Sequence, residues 1–400
     1  MRLSIFTPTH KIKHLRRLAE SIKNQTMKDF EWVVVPNGEV CVDDVKSLVG
    51  DVDQLKIVPY EGETSNIGEI KRFSCHSCTG DILVEADHDD ELTPNCLEQL
   101  DVAFEETEAD FVYSNNAGIV REKDPYVFDE AFGWKHRPFT WKGLKTLEIV
   151  HFPPSPASFS TIWWAANHVR AWERNFYNKI GGHDPLFSLL DDQDLLARSY
   201  INGKVYWIDD CLYVYHLHEA NTFTGDQNQW IQENTLILYD KYIEALVAKW
   251  CDDNGLLKIS LGEKEVKGYE SYNPKKKWKF DDETIGMVKA NSQLQKYDAI
   301  PLMKEIYRCL ANNGWLISST PSTDGRGAFQ NPTNKSFWNV NSFMYYTQAN
   351  AAKHIGSPVK FQKHCLKNHF PNDFCKENNI VHVRADLMKH HGRVPAKVEI

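Results

Sequence analysis

The feature that most constrains this chain is a regular exchange between two hydrophobic periods, beginning at its first residues. Residues 3–7 form a short apolar run that ends in Thr7-Pro8-Thr9, and His14, Leu15, Leu18 and Ile22 then recur at the spacing of one helix face. Residues 31–35 and 56–59 read as second and third strands, and 66–78 as a helix. A strand over 81–86, a helix from Pro94 to about residue 106 and a strand over 110–114 follow. Strands separated by helices predict an α/β, mostly parallel, Rossmann-like sheet, because parallel neighbours need crossover connections. Ligands of such sheets bind beyond the carboxyl ends of the strands, so chemistry is sought in the turns that follow them.

The turn after 81–86 carries the most charge. Asp87-His88-Asp89-Asp90 packs three carboxylates behind an apolar strand. Like charges so close repel one another unless a cation lies among them. Oxygen donors suit Mn²⁺ or Mg²⁺, which complete their coordination with substrate phosphates and water. A cap for the helix at Pro94 needs only one of the three acids, so the metal reading is the stronger. The turns after the first two strands, Thr7-Pro8-Thr9 and Pro36-Asn37-Gly38, are tight and polar.

At 400 residues the chain is long enough for two or three domains, and 42% hydrophobic with 25% charged residues is a globular mixture. No window approaches eighteen apolar residues, so no membrane span is expected. The first apolar stretch ends too early for a secretory leader, and nine scattered cysteines suit reduced thiols; both predict a cytoplasmic protein. Cys75-His76-Ser77-Cys78 reads as two thiols on one helix rather than half a zinc site, and Lys275-Lys276-Lys277 as a solvated loop. The net charge of −9 comes from an acidic stretch over 1–220, whereas 221–400 is mildly basic. An acidic first half has no footprint for nucleic acid and would approach a phosphate ligand only through metal ions.

Five motifs in order carry a resemblance over 1–222. Ser4-Ile5-Phe6-Thr7-Pro8-Thr9, Asn66-Ile67-Gly68 and the run 82–90 are followed by Ile180-Gly181-Gly182-His183-Asp184 with Asp191-Asp192-Gln193-Asp194-Leu195, and then by Tyr213-Val214-Tyr215-His216-Leu217-His218. Together they resemble the family-2 glycosyltransferases of the GT-A fold. The resemblance implies inverting transfer of a sugar from a nucleotide-diphosphate donor, with a UDP-sugar favoured, to a glycan or polysaccharide acceptor. Thr7, Pro8, Thr9, Asn37, Asn66, Gly68, Lys71, Arg72 and Asp87 would then contact the donor. Asp87 and Asp89 would form the DxD motif and hold the metal, Asp89 most directly, with His218 as a further ligand ahead of His216. Asp192 would be the catalytic base, with Asp191 as its supporting neighbour. Asn37 stands where the family usually places acids for the base or ribose, and Lys71-Arg72 where it usually has Ala-Arg.

Trp163-Trp164 and Asn167 to Trp172 offer aromatic planes and ring-hydroxyl partners for an acceptor wall, with Trp163, Trp164, His168 and Arg170 as candidates. Apolar residues from Trp230 to Trp250 predict a connecting helix within 223–255, stopped at Gly255. Over 256–350, Phe280 to Val288, Met303 to Leu310, Asn313 to Pro321, Gly325 to Gln330 and Phe337 to Tyr346 resemble the later motifs of class I S-adenosylmethionine-dependent methyltransferases. A smaller α/β methyltransferase-like domain is therefore expected over 256–400. Its cofactor half departs from that family, because Ile259-Ser260-Leu261-Gly262-Glu263 has one glycine and Glu270 is the only acid near the second position. S-adenosylmethionine binding is not expected. A bifunctional enzyme that also methylates the sugar is the alternative, and a non-catalytic glycan- or nucleotide-binding protein is disfavoured because Asp87, Asp89 and Asp192 occur together.

Overall fold

The computed structural model describes residues 1–392 apart from 51, 65, 163–164, 219–226 and 276–277, and divides into two units, Met1–Tyr242 and Ile243–Ile400. The first opens with β1 (Leu3–Thr9), α1 (Leu15–Lys23), β2 (Phe30–Pro36), α2 (Val42–Val49), β3 (Leu55–Ile57), α3 (Ile67–His76) and β4 (Ile82–Glu85). A short β5 (Glu91–Leu92), α4 (Cys96–Thr107) and a long β6 (Phe111–Val120) follow. Then come β7 (Asp124–Tyr126), the hairpin β8 (Lys135–Trp141) and β9 (Leu144–Val150), β10 (Arg170–Glu173), α5 (Arg174–Lys179), α6 (Asp191–Asn202) and β11 (Val205–Leu217). Helix α7 (Gln227–Asp253) carries the chain from one unit to the next.

The sheet of the first unit runs β3-β2-β1-β4-β10-β6-β11-β5. It is parallel from β3 to β4 and again between β6 and β11, while β10 is antiparallel to both its neighbours. The fold is thus mixed α/β with a parallel-rich sheet rather than parallel throughout. Leu15, Leu18 and Ile22 of α1 are fully buried against Ile5, Trp32 and Val34, as the helical spacing predicts. Removing each such side chain from water contributes about 1.5–3 kcal/mol. Helix α2 and the hairpin β8–β9 carry no strong sequence signal and were not expected.

The second unit holds β12 (Leu257–Leu261), β13 (Glu270–Tyr272), β14 (Ile285–Asn291), α8 (Ala299–Cys309), β15 (Leu310–Pro321), α9 (Val340–Thr347), α10 (Ala349–His354), β16 (Gln362–His369), α11 (Asp373–Glu377) and β17 (His382–Met388). Its sheet order is β13-β12-β14-β15-β17-β16, parallel through β15, with β17 antiparallel to both neighbours. Strand β14 ends at Asn291, and a short 3-10 helix over Leu294–Lys296 follows it.

Candidate active site

Pairing between β10 and β4 builds the site. Their antiparallel register sets Arg170 directly opposite Glu85, the last residue of β4. Glu85 is fully buried, and its two oxygens lie 2.8 Å from Arg170 Nε and 2.7 Å from Lys71 Nζ on α3. A charged side chain inside a run as apolar as 82–86 requires such partners, since an unpaired buried charge is costly. That misfit is the sequence signal by which Glu85, given no role above, could have been found.

The other two Arg170 nitrogens reach separate partners. Nη1 donates to Asp192 Oδ2 at 3.0 Å, and Nη2 meets His168 Nε2 at 2.7 Å. His168 Nε2 lies in turn 3.6 Å from Asp87 Oδ2. Lys71 Nζ lies 3.7 Å from Asp191 Oδ2. Arg170, read above as part of an acceptor wall, is therefore buried, and Lys71, read as a donor contact, is largely buried, inside one ion-pair network. His168, the other residue of that wall in the described part of the chain, is buried in the same network. Trp163 and Trp164 lie outside the described residues.

The two acids opening α6 differ in reach and in charge. The side chain of Asp192 is 31% exposed and that of Asp191 is 6% exposed, so Asp192 is the one open to a substrate. Burial opposes ionisation of Asp192, but Arg170 and then Lys71 outweigh it and hold its carboxyl below the usual range. At Asp191 burial prevails over Lys71, and with Asp192 close by it lifts the carboxyl to about 6. Asp194 is fully engaged by Arg198, Tyr242 and Lys241.

The turn after β4 sorts its three acids. Asp90 points inward, accepting from Tyr213 Oη at 2.9 Å and from the His216 N–H at 2.7 Å. Burial, with Asp89 and Asp87 nearby, pushes it well above the ordinary carboxyl range. Asp87 and Asp89 remain for a ligand. Asp89 Oδ2 lies 2.8 Å from His218 Nε2, and although burial opposes its charge, His88 and His218 bring its carboxyl below the usual value. His216 faces Glu91 at 3.0 Å instead.

Several expected donor contacts are otherwise engaged. Thr7 is buried, and its hydroxyl accepts from Trp32 Nε1 at 3.1 Å. Thr9 is buried as well, Pro8 is half-buried, and Asn37 ties its turn to Thr9 through a backbone bond of 2.9 Å. Asn66 caps α3 by accepting from the Glu69 N–H at 3.0 Å, and its amide donates to the Pro185 carbonyl. A Cβ on Gly68 would sit 2.4 Å from the Asp184 carbonyl oxygen, so the loop before α6 fixes a glycine there. Arg72 is half-buried beside Lys71.

A parallel-rich α/β sheet with an acidic turn after β4 and an acidic helix start facing it defines the class. Residues 4–167 match the family model Glycosyl transferase family 2, so the first unit carries a domain of that family. The glycosyltransferase GlyA of Streptococcus pneumoniae is 21% identical over 240 residues, a match taking in 58% of this chain and 32% of GlyA. The chain thus spans about a third of the length of that relative. Among solved structures, the S. aureus TarS 1-349 fragment aligns at 14% identity over 63% of this chain and 72% of its own, with a TM-score of 0.43. The same fragment in complex with UDP-GlcNAc aligns at 14% identity over 63% and 73%, with a TM-score of 0.46. No helix among the described residues is long and apolar enough to cross a membrane.

Proposed function

We propose that the chain is an inverting glycosyltransferase that moves a sugar from a nucleoside-diphosphate donor to a hydroxyl of a glycan or polysaccharide acceptor. One observation carries the reading: the run of contacts from Asp87 through His168 and Arg170 to Asp192, at 3.6, 2.7 and 3.0 Å. It fixes the turn that would face the diphosphate against the carboxylate that would meet the acceptor. In a single displacement the acceptor oxygen bonds to the anomeric carbon as the bond to the diphosphate breaks, and the acceptor proton passes to Asp192. Arg170 keeps Asp192 ionised and aimed, at some cost in basicity, so proton transfer accompanies bond formation rather than preceding it.

Asp87, Asp89 and His218 would hold a divalent cation, and their donor set of two carboxylates and an imidazole fits Mn²⁺ or Mg²⁺. When bound, such an ion neutralises charge on the leaving diphosphate. Among the described residues it is Glu85, Asp87 and His168, not Asp87, Asp89 and His218, whose ligand atoms already lie within 4.8 Å of one another, but Lys71 and Arg170 neutralise Glu85, which leaves Asp87 to share an ion with Asp89. UDP with and without Mn²⁺ tests the reading by thermal shift. Stabilisation of about 2.7 kcal/mol at a hundred times the dissociation constant is expected only with metal. Equal stabilisation in EDTA would overturn the metal assignment.

The same proposal covers the second unit as a methyltransferase-like layer that does not bind S-adenosylmethionine. Its strand order, with the reversed β17 inside the edge, supports the layout. The cofactor half is reduced, since β12 and β13 are joined by 262–269 without a helix, and a Cβ on Gly262 would lie 3.1 Å from the Gln293 side chain. Glu270 begins β13 and pairs with Lys279. Cytoplasmic placement belongs to the proposal too, supported by nine cysteines in the thiol form.

A further inference from the structure

The Gly181-Gly182 turn delivers one imidazole whose polar atoms the transfer reading leaves unused. His183 is fully buried, edge-on to Phe6 at 6.2 Å and to Trp172 at 6.0 Å, in a slot that a phenyl ring would fill. An imidazole there gives up hydration for no gain in packing, so its nitrogens need partners. Burial, ahead of the charges around it, takes its pKa down to about 3, and the ring is neutral.

The turn holds that ring in one pose. Gly182 sits at φ 59°, and a Cβ on it would lie 2.5 Å from Tyr177 Cε1, so a side chain there would collide with the Tyr177 ring. Tyr177 Oη accepts from the His183 backbone N–H at 2.9 Å and lies 2.8 Å from Nδ1. Cys75, the other group bonded to Oη, is a weak acceptor, so the hydroxyl proton goes to Nδ1. These partners assign the ring hydrogen to Nε2. That nitrogen is buried with no hydrogen-bond partner among the described residues, 3.6 Å from Asp191 Oδ2.

Asp191 Oδ2 matches it. It is buried, also without a hydrogen-bond partner among the described residues, and Lys71 Nζ lies 3.7 Å away. Both spacings fall a little beyond hydrogen-bond length, as catalytic contacts commonly do before substrate binds. Helix α6 needs such a hold, because Leu190 before it stands at φ 65° with no side-chain cap, a costly conformation for a residue with a Cβ. We propose that His183 is a positioning residue for the transfer, donating from Nε2 to Asp191 and so fixing the first turn of α6, from which Asp192 reaches the acceptor. The role rests on the transfer reading. Besides His183, the charged groups facing Asp191 are Lys71 on α3, Glu85 on β4, Arg170 on β10 and Asp192 beside it.

Three substitutions separate the two nitrogens. His183→Phe keeps a ring and removes both, His183→Gln places an amide N–H near Nε2, and His183→Asn places one near Nδ1. In the full chain a ¹³C carboxyl signal, assigned by its loss in Asp191→Asn, would be titrated against pH. A donor to the ionised form lowers a carboxyl's pKa, so the midpoint, about 6 in the parent, should rise by about one unit in the Phe and Asn variants and stay within about 0.3 in His183→Gln. UDP release from a saturating mixture of UDP-glucose, UDP-galactose and UDP-GlcNAc should slow about tenfold in the same two variants and recover in His183→Gln, with UDP affinity within about twofold throughout. ¹⁵N spectra of the parent should place the ring proton on Nε2. A proton on Nδ1, an unmoved midpoint or equal turnover in His183→Phe, or rescue by His183→Asn in place of His183→Gln would overturn the proposal. Metal-dependent UDP binding by the parent is read by calorimetry on the same samples, so its failure would instead remove the transfer reading on which the role stands.

Discussion

The two sheets place different chemistry at the carboxyl ends of their parallel strands. In the first unit β4 runs into Glu85, Asp87 and Asp89, and Lys71, Arg170 and Asp192 gather round them. In the second, the ends of β12, β13 and β14 present Gly262, Asn273 and Ser292-Gln293. Asn273 there donates to the exposed Glu263 carboxylate at 2.7 Å and accepts from the Tyr297 hydroxyl at 3.3 Å, so the acid at this end stands at the surface rather than in a buried ion-pair network. Buried charge is costly to assemble and is kept where chemistry requires it. The contrast supports the proposal that catalysis belongs to the first unit and that the second is architectural.

Substitution at the centre of the charged end should have the largest effect. Glu85→Ala leaves Lys71 and Arg170 buried without their shared partner, and a loss of about 3–5 kcal/mol by urea denaturation is expected. A loss below about 1 kcal/mol would mean that water reaches the network and that the two strand ends differ less than described. Next comes Asp192→Asn, which preserves shape and removes the proposed base. Sugar transfer should fall by on the order of a hundredfold or more while UDP affinity persists, as turnover and calorimetry would register.

A smaller effect concerns pH. Asp191 has a folded value of about 6, above its ordinary one, so the folded state holds that proton more tightly than the unfolded chain does. Ionising it therefore costs stability, and the parent should lose stability relative to Asp191→Asn as pH rises from about 4 to 6. A stability difference that stays constant between pH 4.5 and 7 would contradict this. The smallest expected signal is in the second unit, where S-adenosylmethionine or S-adenosylhomocysteine should give no heat on titration. Micromolar binding with methyl transfer would erase the contrast between the sheets and favour a bifunctional enzyme.

What the sequence made legible follows the range of the forces involved. Strands β1, β2 and β4, helices α1 and α3 and the acidic turn come from local periodicity and adjacent residues, and they were readable. The partners of Glu85 were not, because Arg170 is 85 positions away in sequence and only the β4–β10 register brings the two together. The jobs of Asn66 and Gly68 were hidden for the same reason, since both answer to the loop at 184–187. Helix α2 is short, with only Val45 and Val49 buried, too few points to define a period.

Arg170 also limits how such an enzyme can be changed. Its three guanidinium nitrogens are claimed by Glu85, Asp192 and His168, which belong to three separate stretches of chain. A planar fork of fixed dimensions sets all three distances at once, and a lysine, with a single point of charge, could keep only one of them. Drift at any of the three positions is therefore corrected or rejected jointly. Under selection for a new acceptor, variation should accumulate in peripheral segments such as the β8–β9 hairpin, with 85, 168, 170 and 192 inherited as a block.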